Sequence, residues 1–253
     1  MKTCLIGYTG FVGSNLLIHS SFDDLYNSSN IEDIRGKDFD VLVCAGIPAA
    51  KWIANEKPEE DLSNINKLID NLREIKVGRF ILISTVDVYE EPVNVDEDTH
   101  IDASGLQPYG KNRLYFEEFV KSTFPKTNIV RLPGLFGAGL KKNAIYDLMH
   151  NNCLDMIHCE AVYQFYNIDR LKSDLEVVLK YDLSLINFAT QPVSIKEVAE
   201  NAFQINFDNK TNSSPAFYDV RTKYNSLFGS DLNYYLFSKE EILTQIRNFI
   251  TSG

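Results

Sequence analysis

Short apolar runs alternate with helical patterns along most of this 253-residue chain, and this alternation constrains the fold more than any other feature. The runs are nearly continuous in Val, Ile and Leu, as in strands covered on both faces of a parallel sheet. Right-handed crossovers then predict an α/β fold with a doubly wound, mostly parallel sheet. Strands are predicted at residues 3–7, 24–27, 39–45, 79–85, 128–132 and 184–188, and helices at 11–19, 59–75, 109–122, 141–151, 169–181, 194–203 and 238–250.

Charge and hydropathy narrow the class of partner. The net charge of −10 argues against nucleic acid or an anionic membrane surface, because the average field would repel both. No apolar run approaches the length of a membrane span, and the opening MKTCLIGYTG reads as a buried strand and a turn instead of a signal peptide. We therefore expect no nucleic-acid and no membrane partner.

The four cysteines have no zinc-like spacing, and two of them fall in predicted buried strands. His150 and Cys153 would lie one helical turn apart, but no second close pair accompanies them. These observations predict a reducing, cytoplasmic setting with no disulfide and no metal site.

The segment GYTGFVG places Gly7, Gly10 and Gly13 directly after the first strand and at the start of a helix. A tight turn, close approach of backbone N–H groups to a pyrophosphate, and close packing of helix on strand each exclude a β-carbon. This position favours dinucleotide binding, with Thr9, Phe11 and Val12 completing the turn. The alternative is a set of glycines with a structural role only.

The second strand is predicted to end in YNSSN, where Asn27 and Ser28 offer hydrogen-bond donors and no carboxylate. A carboxylate there would bind the ribose of NAD, whereas a polar pocket admits the 2′-phosphate of NADP. The pattern leans towards NADP over NAD. A polar turn without ligand contact is the alternative.

Two further segments carry candidate catalytic groups. Thr85 ends the run FILIST, at the edge where open α/β sheets bind their ligands, and Tyr109 opens the helix YGKNRLYFEEF. Arg113 lies four residues after Tyr109, on the same helix face. The succession GYTGFVGSNL, VLVCAGIP, FILISTVDVY, YGKNRLYFEEF and IVRLPGLFG resembles the extended branch of the short-chain dehydrogenase/reductase family, which includes NAD(P)-dependent nucleotide-sugar epimerases, dehydratases and reductases.

The resemblance implies that Tyr109 acts as acid or base on a carbonyl or carbinol while Thr85 holds the same oxygen. In the family a lysine stands four residues after the tyrosine, lowers its pKa and binds the nicotinamide ribose; here Arg113 occupies that position. Its fixed charge is expected to lower the pKa of Tyr109, but it cannot release a proton. The alternative for Arg113 is a surface cation that pairs with Glu117.

The resemblance also implies cofactor contacts by Ala45 and Gly46, from VLVCAGIP, and by Pro133, from RLPGLFG. It divides the chain into an NAD(P)-binding domain, residues 1–190, and a small C-terminal substrate lobe, residues 191–253, with residues 138–160 contributing to the lobe. The helices at 59–75 and 109–122 are expected to pair with their copies in a homodimer.

The sequence thus predicts an NAD(P)-dependent oxidoreductase or epimerase that acts on a carbonyl or carbinol of a sugar or nucleotide-sugar. Val86 and Asp87 follow Thr85, where dehydratases of the family tend to carry two acidic residues, so reduction or epimerisation is favoured over elimination. The alternative from another class is a dinucleotide-binding regulatory or scaffold protein that has lost turnover, which Arg113 and the short C-terminal lobe favour.

Overall fold

The computed structural model describes residues 1–252. The strands are β1 (Thr3–Ile6), β2 (Asp24–Tyr26), β3 (Asp38–Cys44), β4 (Lys76–Thr85), β5 (Val93–Val95), β6 (Thr127–Leu132), β7 (Gly134–Phe136), β8 (Val162–Tyr163), β9 (Phe165–Asn167), β10 (Leu185–Asn187), β11 (Val193–Ser194) and β12 (Asp219–Val220). The α-helices are α1 (Phe11–His19), α2 (Lys51–Glu56), α3 (Pro58–Leu72), α4 (Pro108–Thr123), α5 (Ala144–His150), α6 (Leu171–Lys180), α7 (Ile195–Val198) and α8 (Lys239–Ser252).

One compact unit comprises residues 1–90, 100–131 and 172–186, and it contains nearly all of a six-stranded sheet. The strand order is β10-β6-β4-β3-β1-β2, and β1 pairs in parallel with both β2 and β3 while β3 pairs in parallel with β4. The reversal of strand order between β1 and β3 is that of a doubly wound Rossmann sheet. The predicted fold class is therefore confirmed.

Apolar residues from both the sheet and its helices form the core of this unit. Leu42 and Phe80 from neighbouring strands are fully buried beside Leu72 of α3 and Phe116 of α4. The hydrophobic runs of the sequence therefore lie inside the sheet, as their composition predicts. All the predicted strands and helices exist with ends within about three residues of those predicted, except the helix at 194–203, which is α7 followed by a π-helical turn.

The other compact unit comprises residues 91–99 and 132–171 and the chain from residue 187 onward. It contains three two-stranded pairs, β7 with β9, β8 with β11 and β5 with β12. Helix α8 begins after a capping box, in which the Glu241 backbone N–H donates to Ser238 Oγ at 3.1 Å and Ser238 N–H donates to Glu241 Oε2 at 2.7 Å. The predicted division at residue 190 concerns cofactor and substrate binding, and it stays a prediction.

Buried polar side chains connect separate segments within this second unit. Glu97 accepts hydrogen bonds from the backbone N–H of Asn187 at 2.8 Å, the hydroxyl of Thr222 at 2.6 Å and the backbone N–H of Lys223 at 3.1 Å. Burial raises the pKa of the Glu97 carboxyl above its ordinary value, although these bonds oppose the shift. The carboxylate thus fixes the entering segment 91–99 onto the rest of the unit.

Within residues 1–252, no helix is both long and apolar enough to cross a bilayer. The described part of the chain also brings together no group of three or more His, Cys, Asp or Glu side chains that could hold a metal ion. Cys4, Cys44 and Cys159 are buried free thiols and Cys153 is exposed. Burial raises the pKa of Cys44 to about 12, so this thiol is unreactive at neutral pH.

Candidate functional site

The glycine turn between β1 and α1 has the geometry of a cradle without side chains. Gly7 has φ +88°, and a β-carbon there would lie 2.4 Å from the carbonyl oxygen of Ala45. A β-carbon on Gly13 would lie 2.1 Å from the carbonyl oxygen of Gly7, whereas one on Gly10 would lie 3.3 Å from it. Gly7 and Gly13 are therefore required by close packing, and Gly10 tolerates more.

Helix α1 begins at Phe11 after Gly10, and no side chain of the described chain caps this start. The first N–H groups of a helix lack intrahelical partners and carry positive potential, so they favour an anion. The backbone of Gly10, Phe11, Val12 and Gly13 therefore fits a pyrophosphate, as in dinucleotide-binding turns. Thr9 is exposed at the same turn.

The end of β2 differs in detail from the prediction. Asn27 is engaged in the turn itself, because its Oδ1 accepts hydrogen bonds from Ser29 N–H at 2.9 Å and from Ser29 Oγ at 2.6 Å. Asn30 accepts from the backbone N–H of Asn27 at 2.7 Å. Ser28 is exposed at the tip of the turn, where it is the better placed of the two predicted residues to contact a ligand.

Thr85 and Tyr109 come together at the carboxyl end of β4. Thr85 is the last residue of β4, and its side chain is close enough to the Tyr109 phenol to lower the pKa of that group, although by less than burial raises it. Tyr109 is only 8 % exposed in the first turn of α4. The next residue, Gly110, makes this approach possible, because a β-carbon there would lie 2.1 Å from the carbonyl oxygen of Asp87.

The expected lowering of the Tyr109 pKa is wrong for this structure. Burial raises the pKa of the phenol, and the nearby charge of Arg113 lowers it by a smaller amount. Desolvation disfavours the phenolate, and the positive charge of Arg113 is largely compensated by a carboxylate, as described next. Tyr109 is thus a neutral phenol at pH 7 and is suited to donate a proton.

Arg113 is a buried anchor, so the alternative of a surface cation paired with Glu117 is wrong. The Arg113 side chain is 3 % exposed and forms a bidentate ion pair with Asp61 of α3, with Nη1–Oδ2 2.5 Å and Nη2–Oδ1 2.9 Å. Nη2 also donates to the carbonyl oxygen of Pro48. The guanidinium carbon lies 3.9 Å from the centroid of the Tyr109 ring, in cation–π geometry. The predicted contact of Arg113 with a cofactor stays a prediction.

Glu117 belongs instead to a second buried network on α4. It is fully buried and accepts from Arg131 Nη2 at 2.6 Å and Nε at 3.0 Å, and from Ser84 Oγ at 2.6 Å. Arg131 Nη1 donates to the Tyr89 hydroxyl at 2.9 Å. This network joins α4 to the ends of β4 and β6, and it fixes the helix that carries Tyr109 relative to Thr85.

The remaining predicted contacts lie at strand ends. Ala45 and Gly46 directly follow β3, and a β-carbon on Gly46 would lie 2.8 Å from the Ile6 side chain. Pro133 directly follows β6 in sequence. Their roles in cofactor binding stay predictions.

Four residues that sequence reasoning missed also shape the site. Asp61 joins α3 to α4 near Tyr109, and Gly110 lets α4 approach the backbone of Asp87. Lys51 and Asn55 belong to α2, a helix that was not predicted. Gly110 is the second residue of the segment YGKNRLYFEEF, so the sequence contained a signal for it. Asp61 could not be found from spacing, because its partner Arg113 lies 52 residues away.

No family model and no curated protein matches the chain. Solved structures do match over its whole length. The dTDP-4-dehydrorhamnose reductase of Bacillus anthracis, in complex with NADP, has a TM-score of 0.75 at 16 % identity, covering 100 % of this chain and 99 % of that chain. The chain has the fold of this reductase. The UDP-N-acetylglucosamine 4-epimerase of Methanobrevibacter ruminantium shares it, with a TM-score of 0.74 at 14 % identity and coverage of 99 % and 97 %.

A third structure with this fold is the UDP-glucuronic acid 4-epimerase of Bacillus cereus in complex with NAD, with a TM-score of 0.70 at 17 % identity and coverage of 100 % and 99 %. Reductases and epimerases thus share one architecture with this chain. At these identities the likeness is one of fold, and the activity is argued from the site.

Proposed function

We propose that the protein is an NAD(P)-dependent oxidoreductase or epimerase that acts on a carbonyl or carbinol of a sugar, in the nucleotide-linked form that the structurally similar enzymes use. The observation that carries this proposal is the proximity of the Tyr109 phenol and the Thr85 side chain at the carboxyl end of β4. The glycine turn after β1 lies in the same compact unit.

The residues present fit a dinucleotide. The backbone of Gly7, Gly10 and Gly13 leaves room for a pyrophosphate, and the uncapped N–H groups of α1 would bind it. When bound, the nicotinamide would supply or accept the hydride at the substrate carbon. Ser28 and the lack of a carboxylate at residues 26–30 favour NADP over NAD.

The protein's own part of the reaction is to move a proton. The Tyr109 hydroxyl donates its proton to the substrate oxygen as a carbonyl becomes a carbinol, and it takes that proton back in the reverse direction. Thr85 hydrogen-bonds the same oxygen and keeps it in line with Tyr109. Burial raises the pKa of Tyr109, so the phenol is protonated at neutral pH and can donate its proton in the reductive direction.

The test is turnover of nucleotide-linked keto sugars with NADPH or NADH, followed by the loss of nicotinamide absorbance, together with epimerisation of UDP-sugars followed by NMR. We expect Tyr109→Phe to abolish turnover and to leave cofactor affinity within a few fold. Phe retains the ring that packs on Arg113 and removes only the hydroxyl. Unchanged turnover in the variant would refute the assignment of Tyr109.

Cofactor binding and turnover separate this proposal from a scaffold function. The single tryptophan, Trp52, is 67 % exposed on α2, and its fluorescence provides a direct binding signal with NADPH or NADH. Binding without turnover of any sugar substrate would favour a regulatory protein. Binding of neither cofactor would refute the proposed dinucleotide site.

The proposal includes a cytoplasmic homodimer. Three of the four cysteines are buried free thiols, which suits a reducing compartment. Helices α3 and α4 pack against each other, and Tyr115 of α4 is 44 % exposed, which suits pairing of these helices with their copies. A monomer mass in light scattering at micromolar concentration would count against the dimer.

A further inference from the structure

The short helix α2 is fastened to the helix that carries Tyr109 at both of its ends. Near the end of α2, Asn55 Oδ1 accepts a hydrogen bond of 2.9 Å from the backbone N–H of Tyr109. Just before α2, the carbonyl oxygen of Pro48 accepts from Arg113. The buried pair of Arg113 and Asp61 therefore holds segment 48–56 in a fixed place beside Tyr109.

Lys51 opens α2 and lies four residues before Asn55, so the two side chains share one face of the helix. Lys51 Nζ is 2.7 Å from Oδ1 of Asp87. The Lys51 side chain is 46 % exposed and that of Asp87 is 20 % exposed. This ion pair thus connects the neighbourhood of Tyr109 to water.

Asp87 is coupled in turn to the hydroxyl pair. Its backbone N–H donates to Thr85 Oγ1 at 3.1 Å, and its Oδ2 lies 3.4 Å from the same oxygen. The Thr85 side chain lies near the Tyr109 phenol and lowers its pKa. Lys51, Asp87, Thr85 and Tyr109 therefore form one connected chain of polar groups that runs from solvent to the phenol.

The charged groups around Tyr109 come from four elements. Arg113 of α4 is paired with Asp61 of α3, and a guanidinium does not titrate in the accessible pH range. Asp87 follows β4, and Lys51 lies on α2. The negative charge of Asp87 opposes formation of the phenolate, and the positive charge of Lys51 offsets it.

We propose that Lys51 is the positioning cation of this site: it fixes and neutralises Asp87, and thereby keeps Thr85 and Tyr109 in the arrangement that proton transfer requires. Arg113 serves this arrangement indirectly, by holding α2 in place. The role for Lys51 rests on the proposed function of Tyr109 as proton donor, but its electrostatic part can be measured without cofactor or substrate.

The experiment uses the full-length protein labelled with carbon-13 at the Cζ atom of its 13 tyrosines. The NMR signal that disappears in Tyr109→Phe identifies Tyr109, and its titration gives the pH midpoint of the phenol. We expect Lys51→Met to move the midpoint to higher pH, because the negative charge of Asp87 is then no longer offset by the positive charge of Lys51. Asp87→Asn is expected to move it to lower pH, and Lys51→Met combined with Asp87→Asn to return it towards the wild-type value.

Two variants control for effects unrelated to this pair. Lys51→Arg retains the positive charge and is expected to leave the midpoint close to that of the wild type. Lys57→Met removes an exposed lysine that pairs with Glu60, and it is expected to change nothing at Tyr109. A midpoint in Lys51→Met equal to that in Lys57→Met would overturn the inference.

Turnover provides the second readout. We expect Lys51→Met to lower kcat and shift its pH profile in the direction of the phenol midpoint, with rescue by Lys51→Arg. A shifted midpoint in a protein that turns over no sugar would support the coupling of Lys51 and refute the proposed function. An unshifted midpoint in an enzyme that turns over a sugar would refute the coupling of Lys51 and support the proposed function.

Discussion

Replacement of Asp61 by Asn tests whether Arg113 is a structural anchor. The side chains of Asp61 and Arg113 are 6 % and 3 % exposed, and two hydrogen bonds of 2.5 and 2.9 Å join them. Asn112 also donates to Asp61, at 2.8 Å. Asp61→Asn keeps the shape of the side chain but leaves the guanidinium buried without a countercharge.

The magnitude follows from this burial. Removing one partner of a buried ion pair costs about 3–5 kcal/mol, because the other charge remains desolvated. With a urea dependence of about 3 kcal/mol/M, as for the larger single domains, a loss of about 4 kcal/mol lowers the unfolding midpoint by about 1.3 M urea. Against a typical stability of about 5–15 kcal/mol this is a large effect.

Urea unfolding followed by circular dichroism measures the change. Glu176→Gln is the matched control, because it breaks the exposed pair of Lys172 and Glu176, whose side chains are 45 % and 64 % exposed. That pair contributes about 0.2–0.5 kcal/mol, so the midpoint should fall by less than about 0.2 M. Equal midpoints for Asp61→Asn and Glu176→Gln would refute the buried-anchor interpretation.

The double variant Asp61→Leu with Arg113→Met separates lost charge compensation from lost packing. Replacing both charges with apolar groups removes the desolvation cost, so the double variant is expected to be more stable than Asp61→Asn. A double variant less stable than Asp61→Asn would place the contribution in the specific contacts of the guanidinium with Pro48 and the Tyr109 ring.

Two further outcomes are expected. Gly13→Ala places a β-carbon 2.1 Å from the carbonyl oxygen of Gly7, whereas Gly10→Ala places one at 3.3 Å. Trp52 fluorescence should therefore show an NADPH affinity reduced by more than about tenfold in Gly13→Ala and by less in Gly10→Ala. Equal affinities of the two variants would contradict the proposed pyrophosphate site at this turn. The pKa of Glu97 is raised by burial, so the folded state binds its proton more tightly than the unfolded chain does. The contribution of Glu97 to stability is present below the pKa of the unfolded chain and is lost as pH rises through the pKa of the folded state. Urea unfolding midpoints measured across pH should show this loss in the wild type, and the loss should be absent in Glu97→Gln.

Much of the fold was predictable because local patterns carry it. Strands β3 and β4 each contain an unbroken apolar run, at residues 41–44 and 80–83, and the spacing of apolar residues in α3 is that of a half-buried helix. The glycine turn and the position of Thr85 were also predictable, since both lie at strand ends that the doubly wound order brings to one edge. Tyr109 was placed with Thr85 by the resemblance of its motif.

The surroundings of Arg113 were not predictable in the same way. Position i+4 places Arg113 on the face of Tyr109, but Glu117 is equally well spaced from Arg113 along α4. Which carboxylate each arginine binds depends on how α3 and β6 pack on α4, and that packing pairs Arg113 with Asp61 and Arg131 with Glu117. Burial also reversed the expected pKa shift of Tyr109.

The sequence by itself determined the order of strands and helices and the glycine turn, because these depend on neighbours along the chain, and its motifs identified Thr85 and Tyr109 as candidates. Only the tertiary structure decided the electrostatics of the site. Lys51 on α2 meets Asp87 across 36 residues, and Asp61 meets Arg113 across 52. The interaction of two charges depends on the distance between them and on how far solvent is excluded from them, and both are fixed only when the helices pack.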